Sequence, residues 1–312
     1  LAARVRDYPE KLHFFCKTNS VDILTTEDNN YPLQLKNIQN PPSVLYIKGL
    51  LPDTSSAVGV VGSRKSTSYG LKVAITFAQD LALAGLTIVS GGASGIDTAA
   101  HKGALKADGK TIAVLGCGID VTYPYENADL FKQIAEKGAI ITEFPPGTEP
   151  RAKNFPARNR IISGLSQGIL VVEAARKSGA MITAEFAMDE GREVYSIPGS
   201  IFSPTSMGTN SLIKQGAKLV QRPEDILEDF HLLLTQNQEE KVDMPDLFSG
   251  MSTDYELVTN KVLTALNFNE ARTLEEIVAD SGLSLNVISA VLLNLQVNGY
   301  VAEQIGKRYI RL

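Results

Sequence analysis

The chain has 312 residues, 44% of them hydrophobic and 21% charged, with a formal net charge of −5 at pH 7. These are the proportions of a globular protein with room for more than one domain. The acidic balance excludes nucleic-acid binding over the whole surface, so any polyanion site has to be a local patch. No apolar run approaches the roughly 18 residues of a membrane span, so no membrane association is expected. Leu1 to Arg6 lack the charged segment and apolar core of a signal peptide, and a cytoplasmic location is the expectation. Cys16 and Cys117 lie too far apart to read as a disulfide framework, which suits a reducing compartment. His13, His101 and His231 show no ligand spacing, so no metal and no cofactor is expected.

Residues 1 to about 25 carry Val5, Leu12 and Phe15 at helical spacing and predict the end of a small helical module. Tyr31-Pro32 and Pro41-Pro42 force extended backbone, and a short strand, Val44 to Ile47, ends at Gly49. From Ala57 short apolar strands alternate with helices. The strands are Ala57–Val61, Thr87–Ser90, Thr111–Leu115, Ala139–Thr142, Ile169–Glu173 and Glu193–Ile197. Helical patterns fall at about 67–84, 95–107, 127–137, 156–166, 180–190 and 208–216. Near-continuous apolar strands with helices between them predict a doubly wound, mainly parallel, Rossmann-like α/β sheet. Ligands are then expected beyond the carboxyl ends of the strands. Residues 1–50 are thus an N-terminal helical segment and lead-in, and 51–235 the α/β domain. A polar linker over 236–254 follows, and 255–312 carry three helical patterns and a strand pair around Gly306, a winged helix.

The segment with most chemistry is Phe155-Pro156-Ala157-Arg158-Asn159-Arg160-Ile161-Ile162-Ser163-Gly164-Leu165-Ser166, preceded by Arg151 and Lys153. Pro156 opens a helix whose inward face is Ile161, Ile162 and Leu165, which turns Arg158-Asn159-Arg160 toward a cleft or solvent. Grouped guanidiniums, an amide and the Phe155 ring suit phosphates and unstacked bases.

The strand-end loops point the same way. Gly62-Ser63-Arg64-Lys65-Ser66 offers backbone amides and Arg64 to an anion, with Ser63, Ser66 or Thr67 as helix cap. In Ser90-Gly91-Gly92-Ala93-Ser94-Gly95-Ile96-Asp97 three glycines in five positions allow close approach to a ligand, and Asp97 stabilises the next helix N-terminus. His101 reads as a helix-surface residue and Cys117, without a base nearby, as a small apolar packer. Arg176 and Lys177 add cations, Ser178-Gly179 a turn and Thr183 a hydroxyl. The loops match neither Gly-x-Gly-x-x-Gly nor the Walker pattern, and no catalytic pair stands out. In the winged helix, 284–298 holds no Lys or Arg, and 255–312 has five cations against six acids, so this module reads as a partner-contact or accessory unit.

Gly62-Ser63-Arg64, the 90–97 loop, the Phe155–Ser166 segment, Ser178-Gly179-Ala180-x-x-Thr183 and Pro198-Gly199 in this order resemble the DprA/Smf family of bacterial DNA-processing proteins. The resemblance runs from Tyr31 through Ile226, with the winged helix in its expected place. It implies a non-enzymatic protein that binds single-stranded DNA without sequence preference in natural transformation, forms a homodimer and loads the RecA recombinase. The implied DNA pocket takes Arg64 and Phe155 to Arg160, with Phe155 as stacking ring. Some relatives carry a lysine three positions before the Phe. Here that position is Ala152, and Arg151 and Lys153 are the alternatives for its charge.

A nucleotide-cleaving phosphoribohydrolase is the runner-up, but Pro198-Gly199-Ser200 lacks the second glycine of that family's loop. A winged-helix transcription factor is disfavoured by the uncharged 284–298 helix. On this reading Arg64→Ala or Arg158→Ala weakens single-strand binding and leaves the fold intact. For a dimer surface the apolar positions at Met181 to Met188 and Leu212-Ile213 are the candidates.

Overall fold

The structure, a computed structural model, describes residues 8–237, 254–266, 271–297, 301–304 and 307–311. It divides into two units, Leu1–Asn237 and Gln238–Leu312. In the first, α1 (Tyr8–Thr18), β1 (Val21–Thr25), α2 (Leu33–Lys36) and β2 (Val44–Gly49) precede β3 (Ala57–Val61). There follow α3 (Ser68–Leu83), β4 (Thr87–Ser90), α4 (Ile96–Lys106), β5 (Thr111–Val114), α5 (Ala128–Lys137) and β6 (Ala139–Thr142). The unit closes with α6 (Asn154–Leu165), β7 (Gly168–Val171), α7 (Gly179–Asp189), β8 (Glu193–Ser196), α8 (Met207–Lys214), β9 (Lys218–Leu219) and α9 (Glu224–Asn237).

The nine strands form one sheet in the order β1-β2-β6-β5-β4-β3-β7-β8-β9. From β6 to β9 every pair is parallel, while β2 runs antiparallel to both β6 and β1. The doubly wound reading therefore holds, with one addition. Residues 21–25, expected within a helical module, form a strand at the sheet edge, and β2 joins that strand to the rest of the sheet.

Covering helices on both faces explain why β3 and β7 are buried along their whole length. Successive residues point to opposite sides: Ile169 and Val171 pack into one core with Ile161, Ile162 and Leu165, and Leu170 and Val172 into another with Phe77, Leu81 and Ile96. No helix among the described residues is long and apolar enough to cross a membrane.

In the second unit α10 (Asp254–Ala265), α11 (Leu274–Ser281) and α12 (Leu285–Val297) accompany a three-stranded sheet of β10 (Arg272–Thr273), β12 (Arg308–Arg311) and β11 (Val301–Gln304), in that order. Thr273 and Glu276 form a reciprocal capping box at the start of α11, and Gly282, at φ 67°, ends it in the left-handed region. Most of the expected linker lies outside the described residues.

Candidate nucleic-acid interface

At the carboxyl ends of β3 and β4, Gly62–Lys65 and Ser90–Asp97 pack against each other. Ile96 N donates to Ser63 O (3.2 Å), and a side chain at Gly95 (φ 85°) would collide with the Ser63 and Arg64 carbonyls. Of the cap candidates, Thr67 is the one used, its hydroxyl accepting from Gly70 N at 3.1 Å. Thr67 N and Oγ1 also donate to the buried Glu173 carboxylate (2.9 and 2.6 Å), and Thr205 Oγ1 donates to it at 3.3 Å. Glu173, just past β7, thereby fixes the loops after β3 and β8 together.

Helix α6 supplies the floor of a cleft of about 940 Å³. Asn154 Nδ2 donates to Gly116 O (3.1 Å), and Asn159 Nδ2 donates to Gly179 O (3.0 Å), joining α6 to the start of α7. The Phe155 ring lies in this cleft with the Arg64 guanidinium carbon 4.8 Å and that of Arg158 6.0 Å from its centroid. Tyr123 meets the same ring at 5.6 Å, with 41° between the planes. On the far wall α7 begins, where the Ser178 Oγ is buried without a hydrogen-bond partner and Gly179 and Thr183 face the cleft. The positive end of that helix dipole therefore opens onto the space between the arginines.

Ten expected residues meet in the cleft: Gly62, Ser63, Arg64, Lys65, Phe155, Arg158, Asn159, Ser178, Gly179 and Thr183. Six do not. Arg160 makes a largely buried two-pronged pair with Glu143 (2.6 and 2.7 Å), donates to Asn40 O (2.9 Å), and borders a smaller cleft beside α2. Arg151, Lys153 and Lys177 are exposed outside the lining, Arg151 within 3.6 Å of Glu149. Ala152 itself lines the cleft, so neither neighbouring cation occupies that wall. The space left free by Gly91 is filled by the Arg158 guanidinium and that left by Gly92 by Phe131, so these glycines admit protein rather than ligand.

Arg158 departs furthest from expectation. It is 3% exposed and donates to Asn159 Oδ1 (3.2 Å) and to the carbonyls of Gly91 and Val114. Burial lowers its guanidinium to about 10. Below it, burial pushes the Asp97 carboxyl up, against the pull of Arg158 and of the Ala93 amide, which donates to it at 3.3 Å. Arg158 thus ties α6 to the loop after β4 and to the end of β5.

His101 is fully buried rather than on the helix surface. Thr111 Oγ1 gives its proton to Ile88 O, so His101 Nδ1 donates to Thr111 (2.7 Å) and Nε2 is left without a partner. Burial drives its pKa down to about 3. Cys117 packs in the core, its thiol raised to about 11 by burial. Among the described residues no three His, Cys, Asp or Glu group as metal ligands would.

Sequence reasoning passed over Tyr123, Pro150, Ile182 and Thr205 as lining residues. The signal available for the first was the run Tyr123-Pro124-Tyr125 after the third strand-end loop.

These features define an α/β protein with cations, helix amides and a ring gathered at the carboxyl edge of a parallel sheet. Residues 22–231 match the family model described as DNA recombination-mediator protein A, and residues 254–307 that of the DprA winged helix domain. The chain belongs to the DprA/Smf family of DNA-processing proteins. It is 40% identical to Protein Smf of Synechocystis over 92% of this chain and 79% of the relative. It is 46% identical to DNA processing protein DprA of Streptococcus pneumoniae over 69% of this chain and 76% of that one. The solved structure of the pneumococcal protein matches with a TM-score of 0.64 at 43% identity, covering 70% of this chain and 77% of that one. The structure of DNA processing protein A from Helicobacter pylori, described with a single-stranded DNA binding mode, matches at 0.59 and 29%, covering 70% and 96%.

Proposed function

We propose that this chain binds single-stranded DNA without sequence preference in the Phe155 cleft, protects it during transformation and loads RecA onto it as a homodimer, without catalysing a reaction. The observation that carries the DNA reading is the Arg64–Phe155 pair: a guanidinium 4.8 Å from the ring centroid, facing the unpartnered Ser178 hydroxyl at the start of α7 across one cleft. Phosphate oxygens suit Arg64, Lys65 and the α7 amides, and an unpaired base suits the guanidinium–ring platform. Membership of a DNA-processing family and the binding mode described for the Helicobacter relative support the ligand. RecA loading and dimerisation rest on the family resemblance alone.

Of the dimer candidates, Leu212 is core, whereas Met188 is exposed and Ile213 partly so. The sheet ends at β9, where Leu219 is exposed. The deciding experiment is fluorescence anisotropy with labelled oligo-dT titrated against salt, with a duplex of equal length beside it. Preference for the single strand, with a log–log salt slope of about −0.7 per neutralised phosphate, is expected. Equal binding of both, or none, refutes the proposal.

A further inference from the structure

The ring at the centre of the cleft, Phe155, is already engaged on several sides. Phe155 is contacted by Arg64 and Tyr123, and Gly116 lies so close that a side chain there would meet the ring at 2.9 Å. Only part of it is left for a base. Two further rings lie beyond it with more surface free. Tyr123, which lines the cleft and touches Phe155, is 41% exposed, and Tyr125, two residues on, is 80% exposed.

They stand on an anchored segment. Tyr125–Asn127 forms a short helical turn, and Asn127 Nδ2 donates to Gly92 O (2.9 Å) and Thr98 Oγ1 (2.8 Å), fastening it to the loop after β4. The backbone between the two tyrosines spans at most about 7 Å, so the rings are placed for neighbouring nucleotides. Along residues 120–132 themselves the charges are self-neutralising or acidic: Asp120 accepts from Gly147 N, Asp129 pairs with Lys132 at 2.9 Å, and Glu126 is exposed. This stretch offers stacking surface and little cation for phosphate.

We infer that Tyr123 and Tyr125 are base-stacking stations that carry a single strand out of the Phe155 cleft, holding it through its bases where the cleft holds it through phosphates. The inference rests on the single-strand reading of that cleft. Its signature is a loss of affinity on removing either ring that is the same at every salt concentration.

The full chain is titrated by anisotropy with oligo-dT, and with strands carrying one abasic site or one 2-aminopurine at successive positions. Tyr123→Leu and Tyr125→Ser are each expected to weaken binding about fivefold or more and to leave the salt slope unchanged. Tyr→Phe at either position is expected to restore wild-type affinity. An abasic site at the stacked nucleotide is expected to abolish the difference between variant and wild type, and 2-aminopurine quenching there to fall in the variants. Tyr125, exposed and remote from the core, is the control against a folding defect at Tyr123. If Arg64→Ala weakens binding while both tyrosine variants match wild type, the inference falls and the cleft reading stands. If Arg64→Ala is also without effect, both fall.

Discussion

Arg64 and Arg158 flank the same ring but belong to different physical regimes. Arg64 is exposed, and its charge is available to a phosphate. Arg64→Ala is therefore expected to keep the unfolding free energy within about 0.5 kcal/mol of wild type. It should also reduce the salt slope of oligo-dT binding by about 0.7; parallel urea melts and salt titrations check this. Arg158→Ala leaves the buried carbonyls of Gly91 and Val114 without their donor and the buried Asp97 without its nearest opposing charge, a loss of about 3 kcal/mol or more in a urea melt.

His101 gives a pH signature. Its folded pKa of about 3 lies below the ordinary value of 6.5, so its contribution to stability is present above pH 6.5 and is lost as pH falls toward 3. Between pH 7 and pH 5 the wild type should lose about 2 kcal/mol more than His101→Gln, measured as unfolding free energies at both pH values.

The inward turn of Arg158 was legible in principle. With Ile161, Ile162 and Leu165 it follows the i, i+3, i+4, i+7 spacing of one helix face, and only the general exclusion of charge from cores argued for turning it outward. Its carbonyl partners come from residues 91 and 114, which no local pattern connects to it.

At the level of elements, the strands from β3 to β8 were readable because each has an apolar centre and helical patterns lie between them. β1 was not: it contains Asp22 and an exposed Ile23, its pattern belongs to a sheet edge, and its partner β2 lies twenty residues on. The lock between loops was equally hidden. Glu173 reads as a polar residue closing a strand, and its role appears only when β7 lies beside β3. Glu173→Gln either turns its carboxamide NH2 toward the Thr67 N–H, donor against donor, or turns it toward the Thr67 hydroxyl, which then loses its acceptor. It is expected to cost about 1–3 kcal/mol and to speed hydrogen exchange at Thr67 and Gly70, read by native-state exchange. Unchanged protection there would mean that the helix cap alone holds the loop.

For the whole molecule, the two units have separate cores, so removing residues 238–312 should leave a folded α/β unit with most of its affinity for oligo-dT. Loss of binding in a truncation with intact circular dichroism would move the DNA site to the winged helix.

The sheet order carries a cost during synthesis. β3 lies between β4 and β7, and β7 follows it by more than a hundred residues, so one edge of the central strand stays open until Val171 has left the ribosome. At ordinary translation speeds that interval is roughly 5–20 seconds. Until it ends, the nascent chain carries an apolar edge that any passing strand can pair with. The wall bearing Arg64 and the wall bearing Ser178 come together only when that gap closes, so a chain that ends before β7 has no such cleft.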